Sequence, residues 1–450
     1  NGPGHEAGQH AVTDWSDHNI AEGLGLPNPS SVYEILRGGE ELDFRGRSNL
    51  VELERQLYMK WGLGRNLILA WAPYEQGVLL LVVPHYAVAA YTVSTHGMAP
   101  DQSDDHDFVV RLMSGPRQYS TSQIQRAAQL LDTDTYYARL RQPLGTSNAE
   151  VELIERMIER YAVSFVRSRA VALFDIVGFS LLSPFEQMTQ LNSLSYSLNS
   201  AHSKMLGQQI AADFARSSTG DGFYVWNRNL GVAADTNLYH YMHLVLADNA
   251  VAHSRAKEGT VPRLRVSFHV GSCYEFPRAE GLNPSMTHDI VGEVTVELAR
   301  MIEGALPGQI FVGDFTSLRR RRPESGTRPS DVDSVHFVNL AQARLSSLNG
   351  LELSGEAIES IKCYLTGKPR DDGTFTIRKL TISDKHGLSR SVFNAKVNIY
   401  RRAAEPIYLG VEDRELSKVA LPIESVEHIL PDQHGTAADR HEAAKKGGSN

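Results

Sequence analysis

Two stretches decide how this chain is read: Phe174-Asp175-Ile176-Val177-Gly178-Phe179-Ser180 and Thr219-Gly220-Asp221-Gly222-Phe223. Each sets one aspartate where an apolar strand runs out into small residues. A two-cation phosphoryl-transfer site needs such a pair. Divalent ions about 4 Å apart must be bridged by hard, anionic oxygen ligands on rigid backbone.

Around these stretches the pattern is regular. Residues 170–174 read as an apolar strand. Ser183-Pro184-Phe185-Glu186 is a capping box with proline at the first helical position. The helix it opens carries Met188, Leu191, Leu194, Leu198 and Met205 at helical spacing. Residues 210–217 and 222–226 read as strands joined by Ser218-Thr219-Gly220. A long helix at 238–257, a strand at 264–270, a helix at 292–303 and a turn and strand at 307–312 follow. The order β-α-β-β-α-β-α-β predicts an α+β fold, its antiparallel-rich sheet covered by helices on one face.

Residues 169–315 resemble the catalytic domain of the class III nucleotidyl cyclases, the adenylate and guanylate cyclase superfamily. Besides the two aspartate stretches, the matching pieces are Arg265-x-x-x-His269-x-Gly271, Asp289-x-x-Gly292, Ala299-Arg300-Met301 and Pro307-Gly308-Gln309-Ile310. The resemblance implies a ferredoxin-like βαββαβ domain with a C-terminal hairpin. It also implies a lyase reaction: the ribose 3′-hydroxyl of a nucleoside triphosphate attacks its own α-phosphate and expels pyrophosphate. By this resemblance Asp175, Asp221 and the Ile176 carbonyl hold two Mg²⁺ or Mn²⁺ ions. Peptide N–H groups of Val177, Gly178, Phe179 and Ser180 cradle the triphosphate at the helix start, and Arg300 stabilises charge on the transferred phosphoryl. The implied assembly is a homodimer in which Asp175 and Asp221 of one chain face Asp289 and Arg300 of the other.

The chain departs from the family pattern twice. Ser217 stands at the base-reading lysine of adenylate cyclases. Its neighbour Arg216 points to the opposite face of the strand. Val296 stands at the catalytic asparagine and cannot hydrogen-bond ribose; Glu297 beside it is expected to pair with Arg300. Asp289, the second base-reading position, accepts hydrogen bonds and so suits an exocyclic amine, adenine N6 or cytosine N4. ATP is the favoured substrate, with pyrimidine triphosphates kept open.

Elsewhere the sequence speaks less specifically. Residues 1–30 read as a disordered arm, and 31–146 as a small mixed α/β regulatory or sensor domain. In that domain strands are expected at 67–71, 78–83 and 86–94, with a solvated Asp-rich loop at 101–107. Residues 147–168 read as an amphipathic helix, either packed on its own domain or serving as a dimerising connector. The cyclase-like domain with its C-terminal extension is assigned 169–412. Residues 374–382 and 392–400 form a hairpin about the turn 384–387, and the triphosphate-binding lysine of such hairpins falls on Lys385 or Lys396. His240 and His243 read as surface or interface residues, Arg319–Arg322 as a solvated basic loop, and 413–450 as a tail that is polar and disordered from 421.

Composition bounds the rest. At 450 residues with 42% hydrophobic and 22% charged residues, the chain has the make-up of a soluble globular protein of more than one domain. A net charge of −8 gives no global drive toward nucleic acid or anionic membrane. Two cysteines, Cys273 and Cys363, exclude a disulfide framework and suit a reducing cytoplasm. No run reaches the roughly 20 apolar residues of a membrane span. The chain starts Asn1-Gly2-Pro3-Gly4 without methionine, so an upstream segment is expected. The expected protein is a cytoplasmic signal-transduction enzyme making a 3′,5′-cyclic monophosphate. The alternative is a catalytically degenerate cyclase fold that binds nucleotide or only dimerises.

Overall fold

The computed structural model describes residues 44–91, 100–145, 148–257, 259–280, 283–317, 332–384, 387–416 and 423–429. The expected arm, the run Arg319–Arg322 and Lys385 lie outside these residues. The chain divides into two compact units, one of Asn1–Phe165 with Tyr274–Asp289, the other of Val166–Cys273 with Ile290–Asn450.

The first unit contains α1 (Phe44–Trp61), β1 (Asn66–Tyr74), β2 (Gly77–Pro84), α2 (Pro100–Ser114), α3 (Thr121–Leu130), β3 (Thr135–Arg139) and α4 (Asn148–Glu159). β1, β2 and β3 form an antiparallel sheet in that order. Val78 and Leu80 of β2 join a core with Leu53 and Leu57 of α1 and Ile154 and Met157 of α4. Leu79, Leu81 and Val83 join a second core with Val109 and Leu112 of α2 and Ile124 of α3. Both faces are covered, which accounts for the unbroken apolar run in β2.

Two expectations for this unit are corrected. Residues 85–91 form a 3₁₀ helix, not a strand: Pro84 closes β2, and Tyr86 is exposed. The Asp-rich segment lies in helix α2. Phe108, Val109, Leu112 and Met113 of that helix are buried at helical spacing, which outweighs the local run of acids. α4 ends at Glu159 and packs its apolar face into the core of its own unit.

The second unit, with strands that cross the division, continues with β4 (Ser164–Ile176), α5 (Pro184–Gly207), β5 (Phe214–Ser218), β6 (Gly222–Asn227), α6 (Val232–Arg255), β7 (Leu264–Glu280), β8 (Asn283–Val291) and α7 (Glu293–Glu303). Then come β9 (Ile310–Gly313), β10 (Thr316–Ser317), β11 (Val332–Asp333), α8 (Ser334–Arg344), β12 (Glu352–Leu353) and β13 (Glu356–Leu365). β14 (Ile377–Ser383), β15 (Ser389–Arg401), β16 (Ile407–Leu409), α9 (Asp413–Leu416) and β17 (Ile423–Ile429) complete it. The main sheet runs β12-β13-β15-β9-β7-β4-β6-β5. β4–β6, β6–β5 and β9–β15 pair antiparallel, and β7–β9 pair parallel.

Alternate residues of β4 enter opposite cores. Ala170, Ala172 and Phe174 meet Leu194 and Leu198 of α5 and Leu238 and Met242 of α6. Val171 and Leu173 meet Val294, Leu298 and Met301 of α7. Helices therefore cover both faces, correcting the one-face expectation. α6 is buried on nearly every side, so His240 and His243 are core residues and not surface ones. The region after 421 is also corrected: β17 pairs with β14 as a polar strand.

Candidate functional site

Strand pairing brings the two aspartates together. β4 and β6 are in register with Asp175 opposite Gly222, and the Ile176 N–H donates to the Asp221 carbonyl at 3.0 Å. Only glycine fits at 222, because a Cβ there would lie 1.9 Å from the Phe174 carbonyl oxygen. The small residue beside Asp221 is thus what lets the two strand ends close on each other. The β5–β6 turn closes with Thr219 N–H on the Gly222 carbonyl, and the Thr219 hydroxyl donates to Asp221 Oδ1 at 3.2 Å.

Asp175 is buried, and its carboxyl is raised above the ordinary aspartate range. Loss of water is the largest cause. The hydrogen bond and charge of Arg265 oppose it, and the negative charge of Asp221 adds to it. Each carboxylate therefore lies within the other's field. Arg265 Nε donates to Asp175 Oδ2 at 2.6 Å and its Nη1 to the Ala305 carbonyl at 3.3 Å. Sequence reading used Arg265 only as part of a motif and missed this pairing, which rests on β7 lying beside β4 in the sheet. Tyr224 was missed too. Its hydroxyl donates to the Thr295 carbonyl at 3.0 Å, and burial, then the charge of Asp221, raises it.

After Ile176 the chain turns through Gly178, whose φ of +69° is left-handed, into a 3₁₀ turn over Phe179–Leu181. The Val177 N–H donates to the Arg263 carbonyl at 2.9 Å, which removes it from the expected phosphate cradle. Of the four expected donors, the N–H groups of Gly178, Phe179 and Ser180 meet no acceptor among the described residues. The start of α5 is itself closed by the Ser183–Glu186 capping box, so these donors belong to the loop and not to that helix.

The other expected residues have partners and surroundings of their own. Arg300 on α7 meets Asp384 at 3.5 Å. Glu297 pairs with Arg390, correcting the expected pairing with Arg300. Arg390 also reaches Asp384 at 3.3 Å, so that buried carboxylate sits between two guanidinium groups. Val296 is exposed on α7. Ser217 lies opposite Tyr224 on β5. Arg216 is exposed, contacting Asn199 and the Phe223 ring. Asp289 belongs to the first unit, where Arg278 grips both its oxygens at 2.9 and 2.6 Å. Lys396 is buried and donates to Glu412.

Among the described residues no group of three or more His, Cys, Asp or Glu side chains is placed to hold a metal ion. A cation here would rest on Asp175, Asp221 and backbone oxygen. Those donors are hard and anionic, and their mutual repulsion is what a bound divalent charge relieves. They fit Mg²⁺ or Mn²⁺.

No family model and no curated protein matches the chain. Solved structures similar to it include the guanylate cyclase domain of RhGC from Catenaria anguillulae in complex with GTP, at 12% identity, covering 53% of this chain and 99% of that one, TM-score 0.31. The adenylyl cyclase CyaB from P. aeruginosa is similar at 12% identity, covering 38% of this chain and 93% of that one, TM-score 0.26. Adenylate cyclases from Trypanosoma brucei in their monomeric state are similar at 12% identity, covering 54% and 93%, TM-score 0.29. At these scores the likeness by itself carries neither fold nor activity.

Proposed function

We propose that the second unit is a nucleotidyl cyclase of the class III type, converting a nucleoside triphosphate, ATP first, into its 3′,5′-cyclic monophosphate and pyrophosphate. One observation carries this reading: Asp175 and Asp221 stand at the paired ends of β4 and β6, each in the other's field, beside a loop of open N–H groups. The central strands run β7-β4-β6-β5, so the fourth and third flank the first, as a split βαβ arrangement requires.

In the reaction the ribose 3′-oxygen bonds to the α-phosphorus, the bond to the β-phosphate oxygen breaks, and the hydroxyl proton passes to solvent. Asp175, Asp221 and the Ile176 carbonyl would hold Mg²⁺ or Mn²⁺. Such ions lower the hydroxyl pKa and neutralise phosphoryl charge when bound. The N–H groups of Gly178, Phe179 and Ser180 orient the triphosphate. Arg265, now satisfying Asp175, supplies a positive charge beside the pair. Arg300 is assigned to the transferred phosphoryl, Ser217 and Asp289 to the base, and Lys385 or Lys396 to the triphosphate. Asp289 reads a base only after Arg278 lets go of it.

A homodimer is part of the proposal. Leu181 and Phe185 are 89% and 73% exposed, and Met188 and Tyr196 continue the same apolar stripe along α5. A second copy of the chain would cover it. No helix among the described residues is long and apolar enough to cross a membrane. We place the enzyme in the cytoplasm, where its two buried cysteines, which form no disulfide, stay reduced.

The test is to supply each of four nucleoside triphosphates with Mn²⁺ or Mg²⁺ and identify cyclic products by mass spectrometry. A 3′,5′-cyclic monophosphate is expected from ATP or a pyrimidine triphosphate; no product from any of the four overturns the reading. A regulatory protein that binds nucleotide without turnover is the second reading. It is favoured by Val296 at the ribose position and by the partners already held by Asp175 and Arg300. Tight calorimetric binding of ATP with no cyclic product would establish it.

A further inference from the structure

A cleft in the second unit, about 450 Å³ in volume, is walled by α8, the end of β13, the start of β14 and the start of α9. That volume falls within the roughly 300–1,000 Å³ of small-molecule sites. None of the candidate site residues lines it.

Its lining has a definite chemistry. Phe375 and Tyr364 leave their rings open, at 58% and 40% exposure. Glu412 Oε1 accepts from Lys396, and among the described residues no group donates to its Oε2. Both oxygens of Asp413 accept from Arg378, at 2.9 and 3.0 Å. The Asn339 amide is exposed on α8. Lys396 and Arg378 are committed to these carboxylates, and neither lines the cleft. It therefore offers aromatic faces and hydrogen-bond acceptors, and among the described residues no uncommitted cation.

The walls are also fixed in place. Thr366 Oγ1 accepts from Asn394 Nδ2 at 2.9 Å, and the Thr366 carbonyl accepts from Arg378 N–H. Between β13 and β14 the chain passes so close to itself that a Cβ on Gly367 would lie 1.6 Å from the Thr376 carbonyl oxygen.

We propose that this cleft binds a flat aromatic nitrogen compound that donates N–H groups and carries no anionic group. Rings stack on Phe375 and Tyr364, donors meet Glu412 and Asn339, and a phosphate finds no partner. This site stands independently of the cyclase reading. The full chain is titrated calorimetrically with adenosine and with benzamidine, and with AMP as the phosphate-bearing counterpart. At least one of the first two should bind one per chain, and more tightly than AMP. Phe375→Ala should weaken that binding about tenfold. Asn339→Ala should weaken it less, and Asp175→Asn should leave it unchanged. Both cleft positions are exposed, so the variants keep the fold, and thermal melting verifies it. Failure of both probes to bind at millimolar concentration overturns the proposal. So does binding that ignores Phe375→Ala, is lost in Asp175→Asn, or favours AMP.

Discussion

Asp175 carries a conflict that a cation resolves. Burial and the charge of Asp221 penalise its ionised form more than Arg265 relieves it, so its carboxyl is raised in the fold. A raised carboxyl makes the folded state hold its proton to higher pH than the unfolded chain does. The stability this gives is present at low pH and lost as pH rises through the folded pKa. Without metal, Asp175→Asn should therefore melt higher than the wild type at pH 8, and the difference should shrink toward pH 4. Mn²⁺ at a hundred times its Kd should stabilise the wild type by about 2.7 kcal/mol and the variant by little or nothing. Scanning calorimetry at the two pH values, with and without Mn²⁺, measures both effects. Both aspartates were legible in the sequence, because small residues after an apolar strand mark its end. Arg265 was not, because a pairing between neighbouring strands depends on sheet order, which one strand's sequence does not contain.

Among the elements, α7 and the β14–β15 hairpin hold each other through charge. Asp384, just past the end of β14, has its carboxylate buried between Arg300 and Arg390, while Arg390 pairs with Glu297 one turn before Arg300. Removing the shared carboxylate leaves Arg390 buried with one fewer partner. Asp384→Asn should cost about 3 kcal/mol of stability. Its effect on cyclase turnover should exceed its effect on triphosphate affinity, since Arg300 loses its anchor; denaturant melts and steady-state kinetics read the two. Elements with local signals were legible: the Ser183 capping box opens α5, and β14 pairs antiparallel with β15. Where tertiary contact decided, local reading failed. α2 begins in acids that suit a helix N-terminus, yet its buried apolar residues, Phe108, Val109, Leu112 and Met113, lie toward its other end. β17 is polar by composition and becomes a strand because β14 offers it an edge.

For the whole molecule, the buried groups of α6 contribute to the response to acid. Burial lowers His240 from 6.5 to about 4, and it lowers His243 well below the ordinary histidine value. The unfolded chain therefore takes up these protons first, and stability falls as pH drops below about 6.5. For His240 alone the loss is on the order of 3 kcal/mol. Asp235, raised by burial to about 6, works in the opposite direction over nearly the same range. It offsets about one histidine, and the second leaves a net loss. His243 is fully buried, and among the described residues neither ring nitrogen has a hydrogen-bond partner. His243→Leu should thus raise the melting temperature at pH 7 and reduce its fall between pH 7 and 5, read by a pH series of thermal melts. Sequence could not place these histidines inside, since a helix covered on several sides lacks the one-sided stripe that marks burial. Nor could it show that residues 274–289 return to the first unit, because β7 runs across the division without a break in its pattern.

The account stands on joint cation binding by Asp175 and Asp221. Electron paramagnetic resonance of Mn²⁺ titrated into the full chain, with a non-cyclisable ATP analogue present, counts those ions directly. Two bound ions with exchange-coupled spectra are expected in the wild type, and that coupling should disappear in both Asp175→Asn and Asp221→Asn. Mn²⁺ that does not bind, or a coupled pair that survives either substitution, would contradict it.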